Sequence, residues 1–193
     1  MSYFPALLDL SNANILIVGG GKIATDKLEK LLDFTTNITI IATNISSKMK
    51  ILIDKYNLKS TIKQYEPKDL SNISIVVVAV DNIPLQKDIF EQCKKNNCLC
   101  NSVDSTKYCN FIFPSYIKKD DLTIAISTNG TSPAFAKYFK RFLLDIIPDN
   151  IGTFLTNMKN KRTTMPKGAK RMEFFANEAK QYIKSWEIKN ETK

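Results

Sequence analysis

Apolar and polar positions follow two periods along the first hundred residues. Short strand-like runs alternate with amphipathic stretches of helical spacing. The strand-like runs are NILIV at 14–18, NITIIA at 37–42, STIKQY at 60–65, SIVVVAV at 74–80 and CLCNSV at 98–103. The helical stretches lie at 22–33, 46–57 and 84–96. This alternation predicts an α/β fold with a doubly wound, mostly parallel sheet.

Single residues indicate where the predicted helices begin. Ser46 or Ser47 suits the N-cap of the second helix, and Pro84 suits the first turn of the third. Asp81 stands just ahead of that proline. It is either the cap of the third helix or a functional carboxylate, and the pattern leaves both interpretations open.

The pattern changes after residue 110. The segment FIFPSYIKKDDLTIAIST predicts short strands around a polar turn at 118–121. Ser132 suits the N-cap of a further helix, with Pro133 in its first turn and Pro148 at its end. One apolar stripe runs along this helix, made of Phe135, Tyr138, Phe139, Phe142, Leu143, Ile146 and Ile147.

The last predicted helix follows a basic linker, KNKRTTMPKGAK at 159–170. We expect this helix at about 168–187 from its apolar spacing. Its inward residues are predicted to be Met172, Phe175, Ala179, Tyr182, Ile183 and Trp186. The C-terminus therefore predicts a small helical domain.

Composition adds a marked charge bias. The 193 residues are 44% hydrophobic, which is enough for the core of one domain with an appendage. The net charge is +9, and residues 151–193 hold ten Lys or Arg against four Glu, a balance of +6. This bias suits a polyanionic partner, or it is simply a solvated basic face.

The N-terminus MSYFPALLDL has no charged leader, and no window approaches the roughly 18 uninterrupted apolar residues of a membrane span. We therefore expect a cytoplasmic location and no membrane partner. The four cysteines, Cys93, Cys98, Cys100 and Cys109, lack a C-x-x-C pair, and the chain contains no histidine. Buried, reduced cysteines are thus favoured over a zinc site.

A glycine-rich turn, VGGGKIA, directly follows the first predicted strand and begins the first helix. It fits G-x-G-x-x-A through Gly19, Gly21 and Ala24, a pattern that lets a pyrophosphate approach the helix N-terminus. The second strand ends in Thr43 and Asn44, where an acidic residue usually binds the adenosine ribose. Because no Arg is nearby to receive a 2′-phosphate, NAD is favoured over NADP.

The candidates for proton transfer are few. No tyrosine is followed by a lysine four residues later, which disfavours a short-chain dehydrogenase, and the absence of histidine excludes dehydrogenases that depend on it. Asp81 and Asp104 each follow a predicted strand. They are therefore expected at the carboxyl ends of the strands, where ligands bind in doubly wound folds. For Asp104, a turn-forming role is the alternative.

Three motifs together are similar to the precorrin-2 dehydrogenase family, which includes the N-terminal module of siroheme synthases. They are FPALLDLSNANILIVGGGKIATDK, CNSVDSTKYCNFIFPS and AISTNGTSPAFAKYFK, in the family's order and at its separations. The resemblance implies a Rossmann-like NAD-binding domain at 1–112, a β dimerisation segment at 113–147 and a small helical domain at 148–193. It also implies a homodimer with the tetrapyrrole in its cleft.

The resemblance further implies an activity, the NAD-dependent oxidation of precorrin-2 to sirohydrochlorin in siroheme or cobalamin biosynthesis. Lys22 and Ile23 on the glycine loop, with Thr43 and Asn44, would contact NAD, and Asp104 in the CNSVD motif would be the catalytic residue. No metal ligand is assigned. Basic residues of the C-terminal domain would pair with the substrate's acetate and propionate groups.

Two alternatives remain open, and a third is disfavoured. Some members of the family also insert iron or cobalt into sirohydrochlorin, so a bifunctional dehydrogenase and ferrochelatase is one of them. An NAD-sensing regulatory module without turnover is another. Nucleic-acid binding through residues 159–171 is disfavoured, because the aromatic residues interleaved with the basic ones are typical of a helix core.

Overall fold

The computed structural model describes residues 3–103 and 105–186. Two compact units make up the chain, one that ends at Phe113 and one that begins at Pro114. The finer division into parts at 1–112, 113–147 and 148–193 stays a prediction. Within the described residues, no helix is both long enough and apolar enough to span a membrane.

The first unit alternates strands and helices in the predicted order. Its elements are β1 (Ile15–Val18), α1 (Lys22–Leu32), β2 (Ile38–Ala42), α2 (Ser47–Tyr56), β3 (Lys59–Ile62), β4 (Ile75–Val78), α3 (Ile83–Lys95) and β5 (Leu99–Ser102). Short 3₁₀ turns occupy Pro67–Leu70 and Thr106–Tyr108. The strands pair in parallel in the order β3-β2-β1-β4-β5, which confirms the doubly wound, Rossmann-like sheet.

The two central strands, β1 and β4, are buried at every position. Because side chains alternate across a strand, their residues divide between two cores, one on each face of the sheet. Ile15, Ile17 and Val77 belong to the core beneath α1 and α2, whereas Leu16 and Val76 belong to the core beneath α3. Each such side chain contributes about 1.5–3 kcal/mol of burial free energy, so these strands hold the sheet together.

The helix starts agree with the sequence at two places and differ at one. The Ser46 hydroxyl accepts a hydrogen bond from the Met49 amide and caps α2. Ser132 caps its helix in the same way. The cap of α3 is Asn82, whose side chain accepts from the Leu85 amide, so the interpretation of Asp81 as that cap is wrong.

The chain after β5 folds back along the free edge of that strand. Asn110 donates its backbone amide to the Cys100 carbonyl at 3.0 Å, and its side-chain oxygen accepts from the Cys100 amide at 2.7 Å. Its side-chain nitrogen donates to the Cys98 carbonyl at 3.2 Å. A bridge between Asn101 and Cys109 completes this cover, so the backbone groups at the β5 edge are satisfied.

The second unit consists of a hairpin and a group of helices. Its elements are β6 (Ser115–Lys119), β7 (Leu122–Ile126), α4 (Pro133–Ile146), α5 (Ile151–Thr164) and α6 (Ala169–Lys184). The strands β6 and β7 pair in antiparallel fashion, which confirms the small β segment, and α4 confirms the helix after Ser132. On α4, four aromatic residues of the predicted stripe are exposed to solvent: Phe135, Tyr138, Phe139 and Phe142.

Helix α5 was not predicted, and the expected linker at 159–170 lies partly within it. Its apolar residues end early in its sequence, which hides the helical period, but Phe154 stacks on Tyr182 of α6 with ring centroids 3.9 Å apart. The Tyr182 hydroxyl donates to the side-chain oxygen of Asn150 at 2.7 Å. On α6, Met172 and Ile183 are exposed, so their predicted inward orientation is wrong.

Lys119 and Asp120 connect the hairpin turn to the neighbouring helices. The Lys119 ammonium donates to the Ile147 carbonyl at the end of α4 and to the Asp149 carboxylate at 2.9 Å. Asp120, with φ of 50°, places its carboxylate against Gly152 at the start of α5. A Cβ on Gly152 would overlap that carboxylate, so a larger residue there would displace the Asp120 side chain.

Candidate functional site

A cleft of about 570 Å³ opens at the carboxyl ends of β1, β2 and β4. This is where the strand order reverses, since the chain passes from β1 to β2 on one side and later to β4 on the other. Ligands of doubly wound sheets bind at this switch point. The lining residues are Val18, Gly19, Gly20, Gly21, Ile41, Ala42, Thr43, Asn44, Lys63, Gln64, Tyr65, Ala79, Val80, Asp81, Asn82 and Leu85.

The three glycines of the loop have different surroundings. Gly19 has φ of 125°, and a Cβ there would overlap the Ala79 carbonyl at the end of β4. A Cβ on Gly20 would overlap the Asn44 carbonyl. Gly21 has nothing within 4 Å of that position. The first two glycines let the loop pack closely against the sheet edge, and the third leaves space in the cleft.

Helix α1 begins directly at this loop. Gly21 is its N-cap and offers no side-chain oxygen to the first-turn amides. Those amides and the positive end of the helix dipole therefore remain free to bind an anionic group such as a pyrophosphate. The loop fits a dinucleotide on geometric grounds, since Gly21 leaves open the space that a phosphate needs.

Thr25 fixes the conformation of the glycine loop from beneath. Its side chain is buried, and its hydroxyl donates to the Gly21 carbonyl at 2.8 Å. The same hydroxyl lies 3.1 Å from that of Ser46, whose backbone amide donates to the Gly20 carbonyl at 2.9 Å. This network joins the starts of α1 and α2 to the loop. The motif analysis missed Thr25, although its place one turn after Gly21 is a signal.

The residues predicted for the cofactor site lie in three kinds of surroundings. Those that line the cleft are Gly19, Gly21, Thr43, Asn44 and Asp81. Lys22 and Ile23 lie in the first turn of α1, exposed to solvent and outside the lining. Ala24 is completely buried in the core beneath α1, where its small side chain lets the helix approach the sheet.

The segment after β3 supplies residues that the sequence analysis missed. Lys63, Gln64 and Tyr65 line the cleft, and the Lys63 amide donates to the Ala42 carbonyl at 3.0 Å. This bond brings the end of β3 beside the end of β2. This contact depends on the pairing of two strands whose residues are about twenty positions apart in the chain. Local periodicity therefore could not reveal it.

Lys63 belongs to a cluster of ion pairs. Its ammonium lies 2.7 Å from the Asp69 carboxylate and 2.9 Å from that of Glu66. Lys68 lies 3.0 Å from the same Glu66 oxygen. These hydrogen bonds, first to Asp69 and then to Glu66, raise the pKa of Lys63, which therefore stays protonated and is no proton acceptor.

Tyr65 also keeps its proton in the cleft. Its hydroxyl donates to the side-chain oxygen of Gln92 at 2.6 Å. Burial raises the pKa of the Tyr65 phenol well above its usual range. Tyr65 can thus act as a neutral polar group, whereas Asp81 supplies a carboxylate to the same cleft.

Asp104, the predicted catalytic residue, lies outside the described residues. The described residues near it belong to a tightly bonded segment at the carboxyl end of β5. Cys109 accepts from the Ser102 amide at 3.2 Å, and its thiol reaches the Ser102 and Ser105 carbonyls at 3.2 and 3.3 Å. Val103 donates its amide to the Val78 carbonyl at 2.9 Å, at the end of β4.

The four cysteines are free and buried. Burial raises the pKa of the Cys98 and Cys109 thiols, so both stay protonated near neutral pH. Within 3–103 and 105–186, no group of three or more His, Cys, Asp or Glu side chains is arranged to hold a metal ion.

Two family models match the chain. The model described as "Putative NAD(P)-binding" matches residues 6–115, and one described as "Sirohaem biosynthesis protein central" matches residues 119–145. The solved structure of SirC, precorrin-2 dehydrogenase, is similar with a TM-score of 0.79 and 26% identity. That likeness covers 95% of this chain and 93% of the other.

Siroheme synthases are among the relatives in sequence. That of Pseudoalteromonas atlantica is 35% identical over 151 residues, which are 78% of this chain and 33% of the relative. That of Buchnera aphidicola is 32% identical over 152 residues, 79% of this chain and 32% of the relative. The chain spans about a third of the length of these relatives. It belongs to the NAD(P)-binding family that residues 6–115 match, the family of the siroheme synthase module and precorrin-2 dehydrogenase that its motifs resemble.

Proposed function

We propose that the protein oxidises precorrin-2 to sirohydrochlorin with NAD, in siroheme or cobalamin biosynthesis. One observation carries this proposal: the chain has a dinucleotide-type cleft at the switch point of its sheet within a fold similar to SirC over nearly its whole length. A dehydrogenase needs a hydride acceptor, and a bound nicotinamide supplies it.

Different described residues bind different parts of the cofactor. The amides at Gly21 and the first turn of α1 bind the pyrophosphate, and Thr43 and Asn44 offer neutral hydrogen-bonding groups to the adenosine ribose. Asp81, which follows β4, binds a hydroxyl or amide of the dinucleotide. Neutral groups at the end of β2 favour NAD over NADP.

Asp104 is the proposed proton acceptor. Two observations support this role: the CNSVD motif resembles that of the family, and the described neighbours Ser102 and Val103 end the strand beside β4, at the same sheet edge as the cleft. Removal of a hydride from the macrocycle must be accompanied by loss of a proton, for which a carboxylate is a suitable acceptor.

Charge and exposure support the proposed substrate and assembly. Precorrin-2 carries acetate and propionate groups, and the excess of Lys and Arg at 151–193 offers them cationic partners. A homodimer is supported by the exposed aromatic residues of α4, among which Phe139 stacks with Phe135 and Phe142 at centroid distances of 5.5 and 6.3 Å.

The test is turnover by the purified protein and by Asp104→Asn. With precorrin-2 and NAD, the wild type should produce NADH and the absorption spectrum of sirohydrochlorin. Asp104→Asn should keep its affinity for NAD within about twofold and lose activity by about 100-fold or more, as expected for a lost general base.

Ser105→Ala, the neighbouring substitution, serves as the matched control and should retain turnover. If Asp104→Asn oxidises precorrin-2 at the wild-type rate, the carboxylate has no part in the reaction. Tight NAD binding by the wild type without any turnover would instead favour the NAD-sensing module.

A further inference from the structure

Lys63, the centre of the ion-pair cluster, lines the cleft beside the end of β2. Lys63 follows β3, and its amide bonds to the end of β2, immediately before Thr43 and Asn44. In doubly wound folds the residues at the end of the second strand meet the adenosine ribose, where NAD has a hydroxyl and NADP a phosphate. Of the described residues that line the cleft, Lys63 is the one with a basic side chain.

The cluster leaves no spare positive charge for a phosphate. Lys63 and Lys68 contribute two ammonium groups, and Glu66 and Asp69 contribute two carboxylates, so the four side chains are neutral together. The Asp69 carboxylate is itself held in place, since its second oxygen accepts from the Glu66 amide at 2.8 Å. Only about a tenth of the Asp69 side chain is exposed, at 10%, and that of Lys63 is 28% exposed.

We propose that Lys63, Glu66 and Asp69 form the specificity determinant that makes the cleft reject the 2′-phosphate of NADP and accept NAD. This inference rests on the proposed function, because it assigns a role to residues of the same cofactor site. A 2′-phosphate at the end of β2 would have to displace two carboxylates from Lys63 and would then face both of them. The ribose hydroxyl of NAD makes no such demand.

The same geometry means that one substitution should create a site for the 2′-phosphate. Removing one carboxylate gives the cluster a net charge of +1 and leaves Lys63 with a single partner. An ammonium that is less engaged can pair with the 2′-phosphate. Glu66 is the better residue to change, because half of its side chain is exposed, at 50%, and Asp69 also binds a backbone amide.

The experiment measures the dissociation constants of NAD⁺ and NADP⁺ by calorimetry for five forms of the full chain. They are the wild type, Glu66→Gln, Lys63→Met, the double variant Lys63→Met/Glu66→Gln, and Glu29→Gln as a control. Glu29 pairs with Lys48 outside the cleft lining, so Glu29→Gln makes the same change in charge elsewhere. We expect the wild type to prefer NAD⁺.

For Glu66→Gln we expect the affinity ratio to shift toward NADP⁺ by about fivefold, the scale of a partly exposed ion pair. The shift should shrink at high salt and vanish in the double variant, and Glu29→Gln should show none. If Glu66→Gln binds NAD⁺ normally and its affinity ratio does not shift toward NADP⁺, the inference is overturned and the proposed function is not. The same holds if Glu29→Gln or the double variant shows a shift in the affinity ratio equal to that of Glu66→Gln. A wild type that binds neither dinucleotide overturns the proposed function as well.

Discussion

Gly20 and Gly21 are neighbours in the chain, but different physical constraints act on them. Gly20 faces the protein, because a Cβ there would overlap the Asn44 carbonyl. Gly21 faces the cleft, has nothing within 4 Å of the same position and has an ordinary φ of −80°. An alanine is therefore sterically forbidden at the first position and permitted at the second as far as folding is concerned.

These two glycines should separate folding from cofactor binding. Gly21→Ala should keep the wild-type free energy of unfolding within about 0.5 kcal/mol, and should weaken NAD⁺ binding by about tenfold or more, because the methyl group takes space that the pyrophosphate needs. Gly20→Ala should lose about 1–3 kcal/mol of stability through the overlap. Urea unfolding and calorimetric titration measure the two effects. Undiminished NAD⁺ binding by Gly21→Ala would mean that the dinucleotide lies elsewhere.

The sequence revealed the part of the site that is local in the chain. The glycine motif and the strand ends at Thr43, Asn44 and Asp81 are close to elements whose periodicity is visible. Lys63 and Tyr65 reach the cleft only through the pairing of β3 with β2, and Thr25 acts through a hydrogen bond within its own helix. The contacts of Lys63 and Tyr65 depend on the folded geometry, so no pattern of residue types pointed to them, whereas the spacing of Thr25 from Gly21 was a signal that the motif analysis missed.

At the scale of elements, helix α5 shows why amphipathic patterning can fail. Its buried apolar contacts lie at its first turns, where Ile151 and Phe154 pack, while its later turns are polar and basic and contact α6 through charged side chains. Such a helix is stabilised by tertiary contacts more than by a continuous apolar stripe. The strands β1 and β4 are the opposite case, because uninterrupted apolar runs in the sequence predict their complete burial.

The start of α5 offers a test of its attachment to the hairpin. Gly152→Ala should destabilise the protein by about 1–3 kcal/mol, since the new methyl group overlaps the Asp120 carboxylate. Adding Asp120→Gly should restore part of the loss, because it removes the overlapping carboxylate and glycine accepts the φ of 50° at that position. Urea unfolding would show both effects.

Thr153→Ala is the control for this pair, as Thr153 is exposed on the same helix. It should change the free energy of unfolding by no more than about 0.5 kcal/mol. Equal stabilities of Gly152→Ala and Thr153→Ala would contradict the close approach of Asp120 to α5.

At the scale of the whole molecule, burial is unevenly distributed between the units. Two cores cover both faces of the five-stranded sheet in the first unit, whereas the buried cluster of the second unit centres on Ile117, Ile147 and Ile151. The aromatic side of α4 adds little to that smaller core. Exposed apolar groups of this extent are typical of a surface that meets another protein chain.

The proposed homodimer can be tested on α4. The double variant Phe135→Glu/Phe142→Glu should be monomeric by sedimentation while it keeps the wild-type circular dichroism, because charges replace two exposed rings. Met172→Glu, at a more exposed position on α6, should remain dimeric. A wild type that sediments as a monomer would contradict the homodimer, and a dimeric double variant would exclude α4 as its interface.

The two edge strands of the parallel sheet, β3 and β5, differ in how readily another chain can pair with them. Beside β5, Asn110 occupies the backbone groups that an incoming strand would need, so growth of the sheet is blocked there. The margin at β3 is exposed at all four positions, and Lys59 with the short length of that strand opposes strand addition. Partial unfolding that releases the segment around Asn110 would therefore expose a second template for aggregation, and this return segment protects the protein's solubility as well as its fold.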